Sequence, residues 1–354
     1  MLGELLGVGA SRTGFVVNNS NAGISDLVYR NVDMNLGWGD GGANDFFALF
    51  GAQWLCLDDI DAPGSRIGRY RLRFGNQDAP WDKAWGVGVP LMARIAVRTG
   101  PQSIGAVETR PDRGDQVDFS SRKIHQLSKE PGVQVIEQFI PAGFNPGGDD
   151  VGVGLYLPDG FVEKAGQKLE VLGVVIERVD AGGERLRGTM VGYQGRGGWS
   201  MRDHLDLISP ASRMALVEMT DADTVMVILG HNREPGGQGS IEGNLDALVD
   251  VWEQAYAMMG RARPRFVFVV PWAISGTDAS DYLLEVERVM RARGAMHRRD
   301  MVVNYLPLHG YTRPDLYDPD RYRLDAARVH PGDIPTAVNL GQDLFEMLFE
   351  GRRE

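Results

Sequence analysis

Four short segments of the chain carry residue types suited to acyl-transfer chemistry. The first is Gly9-Ala10-Ser11-Arg12-Thr13-Gly14. On a tight turn Ser11 can expose its hydroxyl and aim its own backbone N–H at an oxyanion. The same serine can equally cap a helix start. The second is Gly192-Tyr193-Gln194-Gly195-Arg196-Gly197-Gly198-Trp199-Ser200. Its glycines let backbone approach a ligand closely, and Gly195 can offer a second oxyanion N–H; otherwise the segment is simply a loop. Ser200, three residues before Asp203, reads as half of a capping box rather than as a nucleophile. The third is Leu229-Gly230-His231-Asn232-Arg233, where the Asn232 side chain can donate to an oxyanion or serve as a turn residue. The fourth is Val329-His330-Pro331. His330 can act as general base, or it can be a helix-entry residue before proline. Asp325 lies five residues before it.

The elements needed to position these residues are clearest in the second half. Asp223 to Gly230 and Arg265 to Pro271 are short apolar runs rich in Val and Ile, suited to strands buried on both faces of a parallel sheet. Met301 to Leu306 is a third such strand. Between them the spacing predicts helices over Asn244 to Met259, with Leu245, Leu248, Val249, Trp252 and Tyr256 on one face, and over Tyr282 to Arg293, with Leu283, Val286 and Met290. Ile334 to Phe349 reads as a closing helix, ended by Gly351 and basic residues. This alternation indicates a three-layer α/β domain. From Ala62 to Gly183, Gly and Pro recur every few residues. Extended runs lie between them: Leu91 to Arg98, Gln116 to Phe119, Val133 to Ile140, Gly152 to Leu157 and Lys168 to Val179. That pattern reads as an all-β sandwich. Leu2 to Val8 reads as a short opening strand. The expected organisation is therefore discontinuous: an α/β domain over 1–61 plus 184–354, interrupted by a β-sandwich over 62–183.

Composition narrows the classes. The chain has 354 residues, 43% apolar and 24% charged, with net charge −11 from 37 basic and 48 acidic side chains. A duplex-binding protein would show a surplus of Lys and Arg on one face, so no nucleic-acid partner is expected. The densest basic cluster, Arg291, Arg293, Arg298 and Arg299, closes a helix pattern, where it complements the helix dipole. The single cysteine, Cys56, excludes an internal disulfide and reads as a small packed residue. No apolar run is long enough to span a membrane. No secretion signal is evident in this chain, so its compartment is open: extracellular or periplasmic after trimming, otherwise cytoplasmic or virion-associated. The six histidines show no zinc spacing, and His125 and His297 read as surface residues. Gly7-x-Gly9 has Arg12 where a dinucleotide fingerprint needs its third glycine. No cofactor and no metal are expected.

Taken together, Ser11, Gly195, Asn232 and His330 stand in the order of the SGNH, or GDSL-like, hydrolase family, which the chain resembles. The resemblance covers the α/β parts and implies a flavodoxin-like α/β/α fold. It implies Ser11 as nucleophile and His330 as its base. It further implies an oxyanion hole made by the Ser11 N–H, the Gly195 N–H and the Asn232 side chain. The 184-residue gap between Ser11 and Gly195 is similar to that of the peptidoglycan O-acetylesterase branch, whose members carry a carbohydrate-binding-like β-sandwich between the first two motifs. Lys168 to Arg178, running on to Gly192-Tyr193-Gln194-Gly195, resembles the way that insert rejoins the core. An acetylated carbohydrate is then the expected partner, and Trp81, Trp85 and Tyr156 either help hold sugar rings or pack the insert. Two positions depart from the family. Ala10 stands where Asp usually precedes the nucleophile, and Ala327 stands where the acid usually lies three residues before the His. Three readings follow: a Ser–His dyad, a triad using Asp325, or a carbohydrate-binding or structural protein with a degenerate core. A lipase or thioesterase on the same core is a further alternative.

Overall fold

The computed structural model describes residues 14–16, 53–56, 70–74, 88–113, 116–117, 120–144, 151–156, 158, 167–186, 200–228, 239–271 and 279–304. The chain divides into two compact units. One contains the described residues up to 186 together with 207–221; the other contains 200–206 and 222–304.

The described residues of the first unit hold ten strands: β1 (Gly14–Val16), β2 (Gln53–Cys56), β3 (Tyr70–Phe74), β4 (Leu91–Thr99), β5 (Ala106–Arg113), β6 (Gln116–Val117), β7 (Lys123–Gln126), β8 (Gly132–Ile140), β9 (Val151–Tyr156) and β10 (Lys168–Arg178). They form two antiparallel sheets. The larger runs β1-β10-β4-β8, with β2 also on β10. The smaller runs β3-β9-β5-β6, with β7 also on β5. The extended runs read between Leu91 and Val179 coincide with β4, β6, β8, β9 and β10. The larger sheet also takes β1 and β2, which precede residue 62.

Alternation explains the core of this unit. Leu91, Ile95 and Val97 of β4 are buried on one face, beside Ile136 and Ile140 of β8, at roughly 1.5–3 kcal/mol for each large side chain. Across from them Val107 of β5 and Val153 and Leu155 of β9 are buried too. The opposite face of β4 is equally covered, because helix α2 (Pro210–Thr220, following α1, Met201–Leu207) packs on β4, β8 and β10. Beneath the helix the sheet carries an ionic network. Glu177, fully buried, accepts from Arg94 and, at 2.9 Å, from Arg185. Arg94 also pairs with Glu137 at 2.6 Å. Arg185 reaches the Met219 carbonyl at 3.0 Å, and Arg98 reaches the Ser209 hydroxyl at 3.1 Å. Both ends of α2 are thus held by arginines, Arg98 of β4 at one and Arg185, itself paired with Glu177 of β10, at the other.

The second unit carries β11 (Thr224–Val227), α3 (Ile241–Met258), β12 (Arg265–Val270), α4 (Ala279–Gly294) and β13 (Met301–Asn304). The strands pair in parallel in the order β11-β12-β13. The chain is therefore α/β in class, with strand and helix alternating through this unit. The predicted faces bury as expected: Leu245, Leu248, Val249, Trp252 and Tyr256 on α3, and Leu283, Val286 and Met290 on α4. Ser240 caps α3 by accepting from the Gly243 N–H at 3.0 Å. Helix α4 lies so close to β13 that a Cβ on Gly294 would fall 2.5 Å from Val302 Cγ2. β12 is buried on both faces, as a central parallel strand should be. β11 is less buried: of its four residues only Val227 is fully so, and among the described residues it pairs on one side alone. The expected opening strand Leu2 to Val8 and closing helix Ile334 to Phe349 lie outside the described residues.

Candidate active site

Ser11, Gly195, Asn232, Asp325 and His330 all lie outside the described residues, as do Trp81 and Trp85. What is described is the scaffold that leads to one of them. Parallel β11 ends at Val227, and the chain runs on through Ile228 to the Leu229-Gly230-His231-Asn232 segment. Loops beyond the carboxyl ends of parallel strands are where open α/β sheets place ligands, because side chains there converge over a rigid edge. The other two described strands end at Val270 and Asn304. Asn304 is buried, and its amide donates to Glu287 Oε1 of α4 at 2.7 Å, fixing a polar side chain at that end. In the sequence it is a lone Asn inside the apolar run Met301 to Leu306.

The segment before α1 behaves as its sequence indicates. Asp203 Oδ2 accepts from the Ser200 N–H at 2.8 Å and from the Ser200 hydroxyl at 2.9 Å, while the Asp203 N–H approaches Ser200 Oγ at 3.3 Å. Ser200 is thus engaged in a capping box, with its hydroxyl already donating to a carboxylate.

At the amino ends of the strands stands a different cluster. Asp300, its side chain fully buried, takes Arg263 through both oxygens, at 2.8 and 2.7 Å, and the Phe266 N–H at 3.0 Å. Arg263 also pairs with Glu253 at 2.7 Å. Burial alone would push the Asp300 carboxyl up. The Arg263 and Phe266 hydrogen bonds and the charges of Arg263 and His297 outweigh it and hold the group below the usual carboxylate range. The hydrogen bond to Asp300 in turn raises Arg263. This cluster ties α3, β12 and β13 together and sits away from the carboxyl ends, so its role is structural.

Two expectations in the β-rich unit need restating. Tyr156 carries the Arg110 guanidinium over its ring at 4.3 Å, and a Cβ on Gly154 would meet ring atoms at 2.5–2.8 Å. The ring is covered by Arg110 and lies close against Gly154, and of the two roles read for Tyr156 the structure supports packing. His125 is not a surface residue. It is buried, with Nε2 at 2.9 Å from Thr109 Oγ1. Burial, aided by the charge of Lys123, lowers its pKa to about 4. His297 is exposed, as expected.

No family model and no curated protein matches the chain. Among solved structures it is similar to a carbohydrate esterase family 3 protein from Talaromyces cellulolyticus, at 19% identity and TM-score 0.30 over 48% of this chain and 78% of that one. It is similar to a salicylyl-acyltransferase from a tetracycline biosynthetic pathway, at 13% identity and TM-score 0.30 over 84% and 98%. It is also similar to a family two carbohydrate esterase from Clostridium thermocellum, solved with cellohexaose, at 9% identity and TM-score 0.28 over 74% and 91%. At such overlaps none of these lends its function to this chain. Among the described residues no helix is long and apolar enough to cross a membrane.

Proposed function

We propose that the protein is a serine esterase that removes O-acetyl groups from a carbohydrate. The observation that carries the proposal is the order Ser11, Gly195, Asn232, His330, with Asn232 following a parallel strand by five residues. Ser11 Oγ attacks the acetyl carbonyl while His330 takes its proton. The negative charge that develops on the carbonyl oxygen is met by the Ser11 N–H, the Gly195 N–H and the Asn232 amide. Collapse breaks the ester bond, and the departing sugar hydroxyl recovers the proton from His330. Water, activated by the same histidine, then attacks the acetyl-serine and releases acetate, restoring Ser11. Asp325 holds the imidazole in the required tautomer, or the enzyme works as a dyad. The reaction requires no metal or cofactor.

The proposal is tested by acetate release from an O-acetylated polysaccharide, together with an acyl-length series on p-nitrophenyl esters. Activity should fall sharply beyond acetyl or propionyl. A rate that holds or rises with chain length points instead to a lipase or thioesterase. Ala10 and Ala327 favour a second reading, a glycan-binding or structural protein with a degenerate core. Glycan affinity without any acetate release would establish that reading.

A further inference from the structure

His125, Thr109 and Gln138 form a buried polar chain across three strands, in a region otherwise filled by Val107, Ile136, Val153 and Leu155. Its proton order follows from the donors available. Thr109 Oγ1 has one proton, and its shortest contact, 2.6 Å, is to Gln138 Oε1, a pure acceptor. Gln138 Nε2 is already donating, to the Phe139 carbonyl at 2.7 Å and the Ser121 carbonyl at 3.1 Å. Thr109 therefore accepts from His125 Nε2–H, a donor that the neutral ring and the charged ring both have, and it is burial beside Lys123 that keeps the ring neutral at pH 7. β5 and β8 are joined by the Thr109–Gln138 bond whatever His125 does. β7 is held by a four-residue ladder with β5, continued by the Leu127 N–H to the Gly105 carbonyl at 3.0 Å, by His125, and by two glutamine tethers: Gln138 to Ser121, and Gln134 Nε2 to the Gln126 carbonyl at 2.8 Å.

Among the described residues no carboxylate is paired with the His125 ring. On its own strand the nearby charge is Lys123, of the same sign. The neighbours facing it from β5 are Val107 and Thr109, and from β8 Gln138 and Gln134. Two carboxylates of those strands point away: Glu108 pairs with Arg110 and Glu137 with Arg94, each on the opposite face of its strand. We infer that β7 is an acid-released strand: protonation of His125 expels residues 122–126 from the smaller sheet and uncovers the Ala106–Thr109 edge of β5, while the rest of both sheets stays paired. The open edge then presents free backbone N–H and C=O groups, the arrangement that accepts an added strand.

Hydrogen exchange, read as protection factors so that intrinsic pH effects cancel, tests this on the full chain. Protection at residues 123–126 should fall by about two orders of magnitude between pH 7 and pH 4, while β4 and β8 keep theirs. His125→Phe should abolish the pH dependence. Lys123→Gln removes the like charge and should reduce the fall, and it decides the matter if His125→Phe does not fold. A loss of protection that persists in His125→Phe overturns the inference, as does one that is unchanged in Lys123→Gln or shared equally by β4 and β8.

Discussion

The Asp300 cluster gives the sharpest energetic prediction, because its three partners contribute in different ways. Truncating Asp300 to Ala leaves the Phe266 N–H without its acceptor inside a fully buried strand, at about 1–3 kcal/mol. The guanidinium of Arg263, 27% exposed, keeps Glu253 and gains water, so its loss adds only about 1 kcal/mol. Asp300→Ala should thus cost roughly 2–4 kcal/mol. Arg263→Ala should cost more, about 3–5 kcal/mol, because it strands a carboxylate that has no exposure of its own. Asp300→Asn preserves an acceptor for Phe266 and should cost least, about 1–2 kcal/mol. The pH dependence has a definite sign. A carboxyl held below its unfolded value stabilises the fold fully above about pH 4, and that contribution is lost as pH falls through the folded value. In Asp300→Asn this acid limb should flatten. Urea unfolding by circular dichroism measures the ranking, and hydrogen exchange at residues 265–270 localises it. Equal losses in Asp300→Asn and Asp300→Ala would refute the role given to the Phe266 bond. An Arg263→Ala variant milder than Asp300→Ala would refute the burial argument.

Three further outcomes follow from particular contacts. Gly294→Ala drives a methyl against Val302 and should destabilise by about 1–3 kcal/mol, recovered in part by Val302→Ala, as unfolding of the single and double variants would show. Glu177→Ala leaves Arg94 and Arg185 without their shared carboxylate and should cost about 3 kcal/mol, with hydrogen exchange rising first across α2. If Asp325 orients His330, Asp325→Ala should lower kcat by two orders of magnitude or more with little change in KM, whereas a dyad enzyme would lose only a few-fold.

The parts of the fold visible in the sequence are those in which one apolar period dominates. Leu245 to Tyr256 and Leu283 to Met290 repeat every three or four residues, and α3 and α4 bury those side chains. The run Arg265 to Val270 is uninterrupted and becomes the doubly buried β12. Elements whose stability is partly polar escape that logic. α2 buries Ser212 and Arg213 among its apolar residues and is held by arginines, so its face shows no clean period, although Ser209-Pro210 is a proper helix start. β5 contains Pro111, which argues against a strand; the residue sits between the stretches paired with β7 and with β6. In β7 the pattern misleads outright, since Ile124 is 50% exposed while His125 is buried beside Thr109. No reading of alternation alone places a histidine inward and an isoleucine outward. The candidate site is a reading of the sequence alone: its residue types suit acyl transfer, their order is that of the family the chain resembles, and its residues lie outside those the structure describes.

The central claim is that Ser11 is an acyl-accepting nucleophile. It is tested most directly by hydrolysis of p-nitrophenyl acetate by the wild type and by Ser11→Ala, with circular dichroism confirming that both are folded. The account predicts turnover by the wild type and loss of nearly all of it in Ser11→Ala. Equal activity of the two proteins would contradict it, as would a folded wild type that is silent across pH 5 to 9 on this ester and on an acetylated polysaccharide.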